Sequence, residues 1–478
     1  MTHPLILKFG GTSVGTPQAM QQAAAVVRRS RTAHGPVVVV TSALSGITDL
    51  LLQTTRAAAQ NAHGQARNQA VERILAAHQA IAAALLPPDD RSPALDAVRQ
   101  HVETFRRLVE AIAVLGEVTP RACDAVASLG ERMSAPLLAA VLEAHGVPAQ
   151  AVDAAEIIVT DRTFQNAQPD LTASTPRIRK RLRPLLEAGV TPVVTGFIGA
   201  TPEGITTTLG RGGSDFTAAL LGAALDAAEV HIYTDVDGVM SANPRIVPDA
   251  RTLPRLSYRE VAELAYFGAK VLHPKTIRPV VERGIPLRVR NTFDPDGPDT
   301  LIVAESETTP GTGKAVTLIR DLALLTVEGR GMLGVPGVAA RTFQAVADTG
   351  TSVVLITQAS SEQSITFAVP AAAAPRVVAA LEDAFAAEIA RRDIDRVALT
   401  PDISIVTVVG AGMQHTHGVA GRVFTALGDA GVNVVAIAQG SSEVAISFAV
   451  TAADAEDAVR AVHGLTKETK DGDVVHSK

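Results

Sequence analysis

Residues 4–42 read PLILKFGGTSVGTPQAMQQAAAVVRRSRTAHGPVVVVTS. The apolar run Leu5–Phe9 predicts a buried strand, and the glycine pair that follows it predicts a tight turn. Thr16 and Pro17 are typical of the start of a helix, and Gly35 is typical of its end. Because a second β-branched run follows the helix, the stretch predicts a strand, a helix and a parallel strand.

Short β-branched runs continue to alternate with Ala- and Leu-rich stretches through the first part of the chain. The further strand candidates are Val37–Ser42, Pro192–Ile198, Val230–Thr234 and Leu287–Asn291. A second helix is predicted between Thr119-Pro120 and Gly146, and the Ala-rich region Thr54–Val114 predicts two or more surface helices broken at residues 87–90. This alternation predicts an α/β domain built around a mainly parallel sheet.

The composition excludes several classes of protein. A chain of 478 residues predicts two or three domains, and a net charge of -6 with 3% aromatic residues argues against a nucleic-acid partner. No uninterrupted apolar run approaches the roughly 18 residues of a membrane span. The amino terminus has no signal-peptide pattern, and Cys123 is the single cysteine. We therefore expect a cytoplasmic protein without a membrane partner, with Cys123 as a buried core residue.

A change of composition predicts a domain boundary after the last of these strands. The sequences DPDGPD at 294–299 and TTPGTG at 308–313 flank one short apolar segment. Beyond them, Gly337–Val369 aligns without gaps on Gly418–Val450, 81 residues later, and each copy predicts a ferredoxin-like order of strands and helices. The predicted divisions are a catalytic domain at 1–292, a linker at 293–320, and two small domains at 321–400 and 401–478.

The first chemical motif is KFGGTSVG at residues 8–15, directly after the first strand. Paired glycines allow the backbone to approach an anion closely, and successive backbone amides form an anion-binding nest. Lys8 adds a positive charge for a phosphate. The motif lacks the Gly-Lys-Ser/Thr ending of a Walker A loop, so by itself it indicates either a phosphate loop or an ordinary turn.

The second motif is TLGRGGSD at residues 208–215, before the predicted apolar helix Phe216–Ala228. A helix start offers free amides, and Arg211 can bind a carboxylate or a phosphate through two parallel hydrogen bonds. The alternative is that Ser214 or Asp215 merely caps the helix. Capping alone does not need an arginine among three glycines, so the motif favours anion binding.

Two further motifs lie closer to the domain boundary. Residues 234–238, TDVDG, end a predicted strand, where open α/β sheets bind ligands, although the same residues could form a plain turn. Residues 267–275, FGAKVLHPK, fall in a predicted helical stretch. We interpret Lys270 as a ligand-facing group and His273 as a structural or N-capping group.

A third glycine-rich sequence, residues 329–334, matches the G-x-G-x-x-G pattern of dinucleotide-binding proteins. The acidic residue that this pattern needs about 20 residues later is absent. The sequence therefore argues against a nicotinamide site.

Four cations, Lys8, Arg211, Arg245 and Lys270, are scattered along a chain that is acidic overall. An anionic, phosphate-bearing substrate accounts for them. Glu131 lies between small residues midway along the second predicted helix, and from its pattern alone it is either a site residue or an exposed helix charge.

These motifs, in this order, resemble those of the aspartate kinases, members of the amino acid kinase family that carry a tandem pair of ACT domains. The resemblance covers nearly the whole chain. It implies a three-layer α/β sandwich followed by two ferredoxin-like (βαββαβ) ACT domains. The implied reaction transfers the γ-phosphoryl group of ATP to the β-carboxylate of L-aspartate, the first step towards lysine, threonine and methionine. Mg²⁺ is expected to arrive on the ATP phosphates, and no protein ligand for it is implied.

The resemblance also implies a role for individual residues. The implied catalytic residues are Lys8, Arg211 and Asp215. The implied substrate-binding residues are Thr48, Glu131, Phe197, Arg211, Ser214 and Asp215. The implied nucleotide-binding residues are Lys8, Gly10, Gly11, Thr12, Ser13, Thr234, Asp235, Arg245 and Lys270. Met240 stands where several members have a tyrosine, so a nucleotide contact by that tyrosine is not carried over.

The ACT pair implies an amino-acid effector and a homodimer or higher homo-oligomer. The segments containing Ile356, Gln358, Ile437 and Gln439 look like the threonine-binding Ile-x-Gln positions of threonine-sensitive aspartate kinases, so threonine rather than lysine is the expected effector. A glutamine amide can pair with both a hydroxyl and a carboxylate, although polar strand ends are the alternative. Such relatives often continue into a homoserine dehydrogenase, whereas this chain is expected to be monofunctional because it ends at Lys478.

Two alternative functions are left open. A kinase for a glutamate-type acceptor would share the phosphate motifs, but it would not be expected to combine the FGAK motif with an ACT pair. A catalytically inactive amino-acid sensor is the other alternative, against which the intact Lys8, Arg211 and Asp215 argue. An aspartate side chain is ionised at neutral pH, so the expected reaction needs no general base.

Overall fold

The computed structural model describes residues 3–60, 64–269, 272–305, 313–332, 335–358, 363–440 and 444–466. The chain forms two compact units. The first unit comprises Met1–Val239, Thr252–Tyr258 and Val271–Ser306, and the second comprises Met240–Arg251, Arg259–Lys270 and Glu307–Lys478.

A mainly parallel sheet runs through the first unit. The strands of this unit are β1 (Leu5–Phe9), β2 (Val37–Thr41), β3 (Ala149–Val152), β4 (Thr191–Thr195), β5 (Ile198–Ala200), β6 (Thr206–Thr208), β7 (Glu229–Thr234), β8 (Arg255–Ser257), β9 (Leu287–Asn291) and β10 (Thr300–Val303). Eight of them form one sheet in the order β3-β4-β2-β1-β7-β9-β10-β8, and β5 pairs with β6 separately. Within the larger sheet only the β9–β10 pair is antiparallel among the described residues, which confirms the predicted α/β class.

Helices cover both faces of this sheet. The helices of this unit are α1 (Gly11–Val14), α2 (Pro17–His34), α3 (Ile47–Ala59), α4 (Gly64–Leu85), α5 (Pro88–Leu115), α6 (Pro120–Ala127), α7 (Leu129–Ala144), α8 (Leu171–Glu187), α9 (Gly213–Leu225) and α11 (Pro274–Val281), whereas α10 (Tyr258–Tyr266) lies almost entirely in the second unit. Alternate residues of a strand face opposite sides. Leu5, Leu7 and Phe9 pack into a core shared with α2, α3, α4, α5 and α7, whereas α9 packs against β1, β2 and β7.

The predicted start and end of the first helix are confirmed. Thr16 Oγ1 accepts a hydrogen bond from Ala19 N at 3.2 Å, and Gly35 ends α2 with a φ of 88°. The Ala-rich region does form separate helices, but they are not only surface helices. Ile74 of α4 and Phe105 of α5 are fully buried in the core.

The second predicted helix is divided into α6 and α7. Ser128 separates them, and its Oγ donates to Ala125 O at 2.9 Å. Gly130 follows, where an added Cβ would lie 2.7 Å from Ala43 Cβ, so the start of α7 approaches the chain after β2 closely. Glu131 therefore lies in the first turn of a helix rather than midway along one.

The α6–α7 stretch, Pro120–Ala144, is also the one described segment that is long and apolar enough to cross a membrane. Most of its apolar window, 78%, is buried in the protein. Core burial thus accounts for its composition, and Cys123, on α6, is buried as predicted.

A six-stranded sheet organises the second unit. Its strands are β11 (Ala315–Glu328), β12 (Leu355–Gln358), β13 (Ser364–Pro370), β14 (Arg396–Val409), β15 (Ala436–Gln439) and β16 (Ala445–Thr451). The α-helices after residue 315 are α12 (Val338–Asp348), α13 (Ala374–Ala384), α14 (Ala386–Arg391), α15 (Val419–Asp429) and α16 (Ala455–His463). The strand order is β12-β13-β11-β14-β16-β15, and all pairs are antiparallel.

The two long strands β11 and β14 are shared by the two halves of this sheet. The first residues of β11, Ala315–Ile319, pair with Ile405–Val409, while its last residues, Leu324–Glu328, pair with Arg396–Thr400. Each half thus has four strands and two packed helices, the predicted ferredoxin-like arrangement. Residues 315–320, which were predicted as linker, are strand and complete the second half.

Close packing of the backbone explains the first two glycines of the G-x-G-x-x-G sequence. A Cβ on Gly329 would lie 2.4 Å from Asp393 O, and a Cβ on Gly331 would lie 2.5 Å from Asp393 Cα. These glycines are required by the close approach of two backbone segments.

The described residues between α10 and α11, 267–269 and 272–273, are not helical as was predicted. Helix α10 ends at Tyr266, and Gly268 has a φ of 100°. His273 accepts a hydrogen bond from Lys275 N at 3.3 Å as the N-cap of α11, which confirms its capping role.

Candidate active site

A cavity of 290 Å³ lies at the carboxyl ends of the central strands of the first unit. Its lining residues are Lys8, Ser42, Thr48, Glu131, Phe197, Gly210, Arg211, Gly212, Gly213, Ser214 and Asp215. They include every predicted substrate-binding residue, although these residues are far apart in the chain. Parallel strands end at the same edge of a sheet, and loops at that edge are where open α/β sheets bind ligands.

Lys8 and Asp215 face each other in the cavity. Lys8 Nζ lies 2.8 Å from Asp215 Oδ1, and the two side chains are only 12% and 14% exposed. The contact is an ion pair by distance, but it does not have hydrogen-bond geometry, so Oδ1 retains unused hydrogen-bonding capacity. The ammonium group is thus held in place near the end of β1, facing the cavity.

The amino end of α9 opens into the same cavity. The helix begins after Gly212, whose φ is 74°, and it has no side-chain cap. The interpretation of Ser214 or Asp215 as an N-cap is therefore wrong. A 13-residue helix without a cap presents free N–H groups and a partial positive charge at its start, both of which favour an anion.

Two close approaches require the glycines around this helix start. A Cβ on Gly213 would lie 2.6 Å from Phe197 Cδ2, and a Cβ on Gly196 would lie 2.6 Å from Ser214 Oγ. Phe197 adopts a φ of 67°, and its N–H donates to Thr217 Oγ1 at 3.1 Å. The strained backbone at Phe197 is thus fixed by α9 itself.

Glu131 supplies a buried carboxylate to the cavity. It is 3% exposed, and its Oε2 has no hydrogen-bond partner among the described residues. Burial raises the pKa of Glu131 to about 8, although the backbone N–H groups of Ala43 and Glu131 favour the ionised form. An unsatisfied buried carboxylate beside a cavity is suited to a cationic group such as an ammonium.

Arg211 lies on the rim of the cavity. Its side chain is exposed, and the structure gives it no ion-pair partner among the residues it describes. The cavity thus combines an unpaired guanidinium with a buried carboxylate. This pair of opposite charges matches the two charged groups of an amino acid.

Ser42, which the sequence analysis did not single out, also lines the cavity. Its Oγ donates to Ser214 Oγ at 3.0 Å, and its carbonyl accepts from Ser134 Oγ at 2.7 Å. Ser42 therefore joins the end of β2 to both α9 and α7. In the sequence, the feature that points to Ser42 as a site residue is its position at the end of a predicted strand, after a run of valines.

Asp124 is a second residue that sequence reasoning missed. Its carboxylate accepts hydrogen bonds from Gln165 N at 3.0 Å, from Thr208 N at 3.0 Å and from Thr208 Oγ1 at 2.7 Å. It is 1% exposed, and burial raises its pKa. Two residues after Thr208, Gly210 lies against the chain at Gln165, where an added Cβ would be 3.0 Å from Gln165 O. Asp124 thus positions the loop that carries Arg211.

The glycine loop after β1 is held against β7. Gly10 N donates to Tyr233 O at 3.2 Å, and a Cβ on Gly11 would lie 3.0 Å from Ala43 O. Ser13 is fully buried, donates to Tyr233 O at 3.3 Å and accepts from Thr292 Oγ1 at 2.6 Å. Its hydroxyl therefore joins strands rather than facing a ligand, unlike the neighbouring exposed Thr12.

The remaining predicted nucleotide residues lie elsewhere. Thr234 is the last residue of β7, the strand beside β1, and its Oγ1 donates to Oδ1 of the next residue, Asp235, at 3.1 Å. Neither lines the cavity. Arg245 belongs to the second unit, and Lys270 lies outside the described residues.

A model of the amino acid kinase family matches residues 4–291, and a model of the ACT domain matches residues 325–385 and 406–464. The chain belongs to the amino acid kinase family. Its catalytic motifs and its repeat thus correspond to a kinase unit and two ACT repeats.

Several relatives of this amino acid kinase cover nearly the whole chain. It is 39% identical over 464 residues to the bifunctional aspartokinase/homoserine dehydrogenase 2 of Arabidopsis thaliana, covering 95% of the chain and 50% of the relative. It is 34% identical over 479 residues to aspartokinase 1 of the same plant, covering 98% of the chain and 80% of the relative. The chain spans about half the length of the bifunctional relatives that it matches.

Solved structures of an aspartokinase have the same fold as this amino acid kinase. Aspartokinase III of E. coli in complex with aspartate and ADP superposes with a TM-score of 0.80 at 32% identity, covering 96% of this chain and 99% of that one. The complex of the same enzyme with lysine and aspartate gives a TM-score of 0.78 at 33% identity, covering 97% and 99%.

The ACT repeats of this amino acid kinase carry two equivalent cavities. The first, of 360 Å³, is lined by Met332, Val335, Pro336, Gly337, Val338, Ala339, Gln358 and Ile365. The second, of 530 Å³, is lined by Met413, His415, Thr416, His417, Gly418, Val419, Ala420, Gly421, Gln439 and Ile446. All eight residues of the first cavity have a counterpart in the second at the 81-residue spacing, and six of these pairs are identical, which confirms the repeat. The second cavity has Thr416 and His417 where the first has Val335 and Pro336.

The predicted effector residues are divided between these cavities and the strand edges. Gln358 and Gln439 each line one cavity. Ile356 and Ile437 line neither among the described residues, and they are 51% and 45% exposed on the edge strands β12 and β15.

Proposed function

We propose that this protein is an aspartate kinase, which transfers the γ-phosphoryl group of MgATP to the β-carboxylate of L-aspartate. The observation that carries the proposal is the placement of opposite charges in one cavity: a buried Glu131 carboxylate, an unpaired Arg211 on the rim and Lys8 beside the start of α9. The similarity to aspartokinases over nearly the whole chain supports the same acceptor.

Recognition of aspartate follows from those charges. The Glu131 carboxylate binds the α-ammonium group, and Arg211 binds a carboxylate through its planar pair of N–H groups. Thr48, in the first turn of α3, lines the same cavity as a hydroxyl donor or acceptor. Together these contacts fix the β-carboxylate relative to Lys8, and such positioning supplies a large part of the catalysis of phosphoryl transfer.

The chemical step needs no general base. A β-carboxylate oxygen attacks the γ-phosphorus, the bond between that phosphorus and the β–γ bridging oxygen breaks, and ADP leaves with the bond electrons. Lys8 neutralises charge on the transferred phosphoryl group, and the uncapped N–H groups of α9 donate hydrogen bonds to its oxygens. Mg²⁺ belongs to the substrate MgATP and shields the phosphate charges when it is bound.

Regulation by threonine is the second part of the proposal. Gln358 and Gln439 present amide groups to the two ACT cavities, and one amide can pair with both the hydroxyl and the carboxylate of threonine. Lysine is the competing effector, since a complex of E. coli aspartokinase III contains it. The exposed Ile356 and Ile437 on two strand edges support a homodimer or larger homo-oligomer formed through the ACT repeats.

The test is an assay of ADP release from MgATP with aspartate or glutamate as the acceptor, in the presence and absence of threonine or lysine. The proposal expects turnover with aspartate, little with glutamate, and inhibition by threonine. Turnover with glutamate in place of aspartate would indicate a different acceptor, and no acceptor-dependent turnover would indicate an amino-acid sensor. Inhibition by lysine alone would reject threonine as the effector.

A further inference from the structure

The six-stranded sheet of the second unit has a small apolar core on the face that carries no ACT helix. Leu322 and Leu324 of β11 point to this face, whereas Ala323 and Leu325 point to the opposite one and pack with the first ACT repeat's helices. The edge strands β12 and β15 lie at opposite ends of the strand order, yet they contact each other. The sheet therefore curves around this core.

Helix α10 packs against the same face and is attached to both ACT repeats. The fully buried carboxylate of Glu260 pairs with Lys314 Nζ at 3.2 Å and accepts a hydrogen bond from Ala411 N at 2.8 Å. At the other end of the helix, Tyr266 Oη donates to Val354 O at 3.2 Å. These contacts hold the helix beside the two edge strands.

A cavity of 190 Å³ lies between α10 and these strands. Its walls include residues 354–356 at β12, Ala438 of β15 and Ser447 of β16, and the helix side contributes Glu263 and Phe267. Phe267, the first residue of the FGAK motif, also packs against the apolar core. One water molecule takes up about 30 Å³ of liquid, so the cavity has room for roughly six atoms of that size.

Glu263 brings an unpaired charge to this cavity. Among the described residues that line it, Glu263 alone is charged. Its carboxylate has no hydrogen bond or ion pair with any residue that the structure describes, and burial raises its pKa. Glu260, one turn earlier on the same helix, has both kinds of partner. Phe267 N donates to Glu263 O at 3.0 Å, so the phenyl ring lies one turn further along.

These groups select the chemistry of a ligand. A partly buried carboxylate without a counter-ion favours a ligand that brings the positive charge. An aromatic ring near that charge adds a cation–π attraction, and apolar walls favour an aliphatic chain. An anionic group on the ligand would find no cation among the described lining residues.

We propose that this cavity is a ligand site of the second unit, distinct from the two glutamine-lined cavities, and that it binds a primary ammonium group on a short aliphatic chain. Glu263 pairs with the ammonium group, and the edge strands hold the chain. Two sources of this group are a free alkylamine and the side chain of lysine. The inference does not depend on which acceptor the kinase phosphorylates.

The test is a titration of the full chain with n-butylammonium, followed by saturation-transfer NMR, with 1-butanol and butyrate as the neutral and anionic analogues. We expect saturable binding of n-butylammonium and at least about tenfold weaker binding of the other two, because neither brings the charge that pairs with Glu263. Glu263→Gln should weaken n-butylammonium binding by about 10- to 100-fold. Glu382→Gln, at an exposed position of α13, is the control and should bind normally.

Two further variants separate loss of the site from loss of structure. Glu263→Gln removes an unpaired charge, so its thermal unfolding temperature without ligand should be equal to or higher than that of the unaltered protein. Ala438→Leu keeps the charge but fills the cavity, and it should also abolish binding. Gln358→Ala and Gln439→Ala should bind n-butylammonium normally, because these glutamines line the other cavities.

Lysine and 1,5-diaminopentane distinguish the two sources of the ammonium group. Loss of lysine affinity in Glu263→Gln would identify an amino acid, and loss of diamine affinity alone would identify an alkylamine. Loss of neither would overturn the inference. So would equal binding of n-butylammonium to Glu263→Gln and to the unaltered protein, equal affinity for n-butylammonium and 1-butanol, or no binding at all.

Discussion

The kinase cavity and the two ACT cavities hold their polar groups in different ways. In the kinase unit the charged groups are largely buried, with Glu131 at 3% exposure and the Lys8–Asp215 pair at 12% and 14%. In the ACT repeats the cavities are lined by exposed, neutral glutamines on edge strands. The difference teaches that burial pre-organises the charged groups of the first cavity, whereas the amide groups of the other two stay open to solvent.

Removal of Lys8, the cation proposed to face the phosphoryl group, should have the largest effect on this comparison. We expect Lys8→Ala to lower kcat by about 10²–10³-fold, as for loss of one pre-organised charge donor. Binding of threonine, measured by calorimetry, should be unchanged, because Lys8 is not part of either ACT cavity. Lys180→Ala, an exposed lysine on α8, is the matched control and should keep full activity. Retention of kcat in Lys8→Ala would contradict the assignment.

Neutralising the buried carboxylate should have the next largest effect. Glu131→Gln keeps the shape of the side chain but removes the charge that pairs with the ammonium group, so the KM for aspartate should rise by about 10- to 100-fold, as expected when a buried ion pair loses one partner. The KM for MgATP should stay the same. Glu143→Gln, at an exposed position of the same helix, serves as the control. Equal KM values for the two variants would show that Glu131 does not bind substrate.

The raised pKa of Glu131 also predicts a dependence on pH. Below about 8 the unoccupied carboxyl group is protonated, so binding of an ammonium group must release that proton. The KM for aspartate should therefore fall, by up to about tenfold per pH unit, as pH rises towards 8, and it should be nearly independent of pH in Glu131→Gln.

The raised pKa of Glu131 also means that the native state holds this proton more tightly than the unfolded state. The free energy of unfolding contributed by Glu131 thus falls as pH rises from about 4.5 to about 8.

Calorimetry in buffers of different ionisation enthalpy measures how many protons are released when aspartate binds. Release of close to one proton per aspartate bound near neutral pH is expected, and Glu131→Gln should release none. A pH profile that is identical in the two proteins would assign the effect to another group.

The smallest effects should come from the ACT cavities. Gln358→Ala and Gln439→Ala should each raise the threonine concentration needed for half inhibition by about 5- to 10-fold, the loss of one hydrogen-bonding group to a ligand. Activity without effector should be unchanged, because the glutamines lie in the second unit. Dose–response curves for both variants are the measurement. Unaltered inhibition in both would remove threonine from these cavities.

The sequence was most informative where local patterns were strong. The cap at Thr16, the glycine at the end of α2 and the N-cap at His273 each depend on neighbouring residues, so they could be predicted. The convergence of Thr48, Glu131 and Arg211 on one cavity was also predicted, but from the resemblance to a family rather than from spacing. Their positions are set by strands that pair across the whole sheet.

Features that depend on distant contacts could not be predicted. Asp124 looks like an ordinary helix residue until Thr208, far along the chain, donates to it. The sharing of β11 and β14 between the two ACT repeats lies outside the aligned repeat, so the sequence pattern predicts a linker at residues 315–320 where the structure has a strand. The break at Ser128 follows from the close approach of Gly130 to Ala43, which no local pattern encodes.

The most direct test of the central claim is to follow the acceptor oxygen. Aspartate labelled with ¹⁸O in its β-carboxylate is incubated with MgATP, and the product is examined by ³¹P NMR. The account predicts an acyl phosphate whose bridging oxygen carries the label, with ADP formed in equal amount. Unlabelled phosphate released by water, or no new phosphorus species at all, would contradict it.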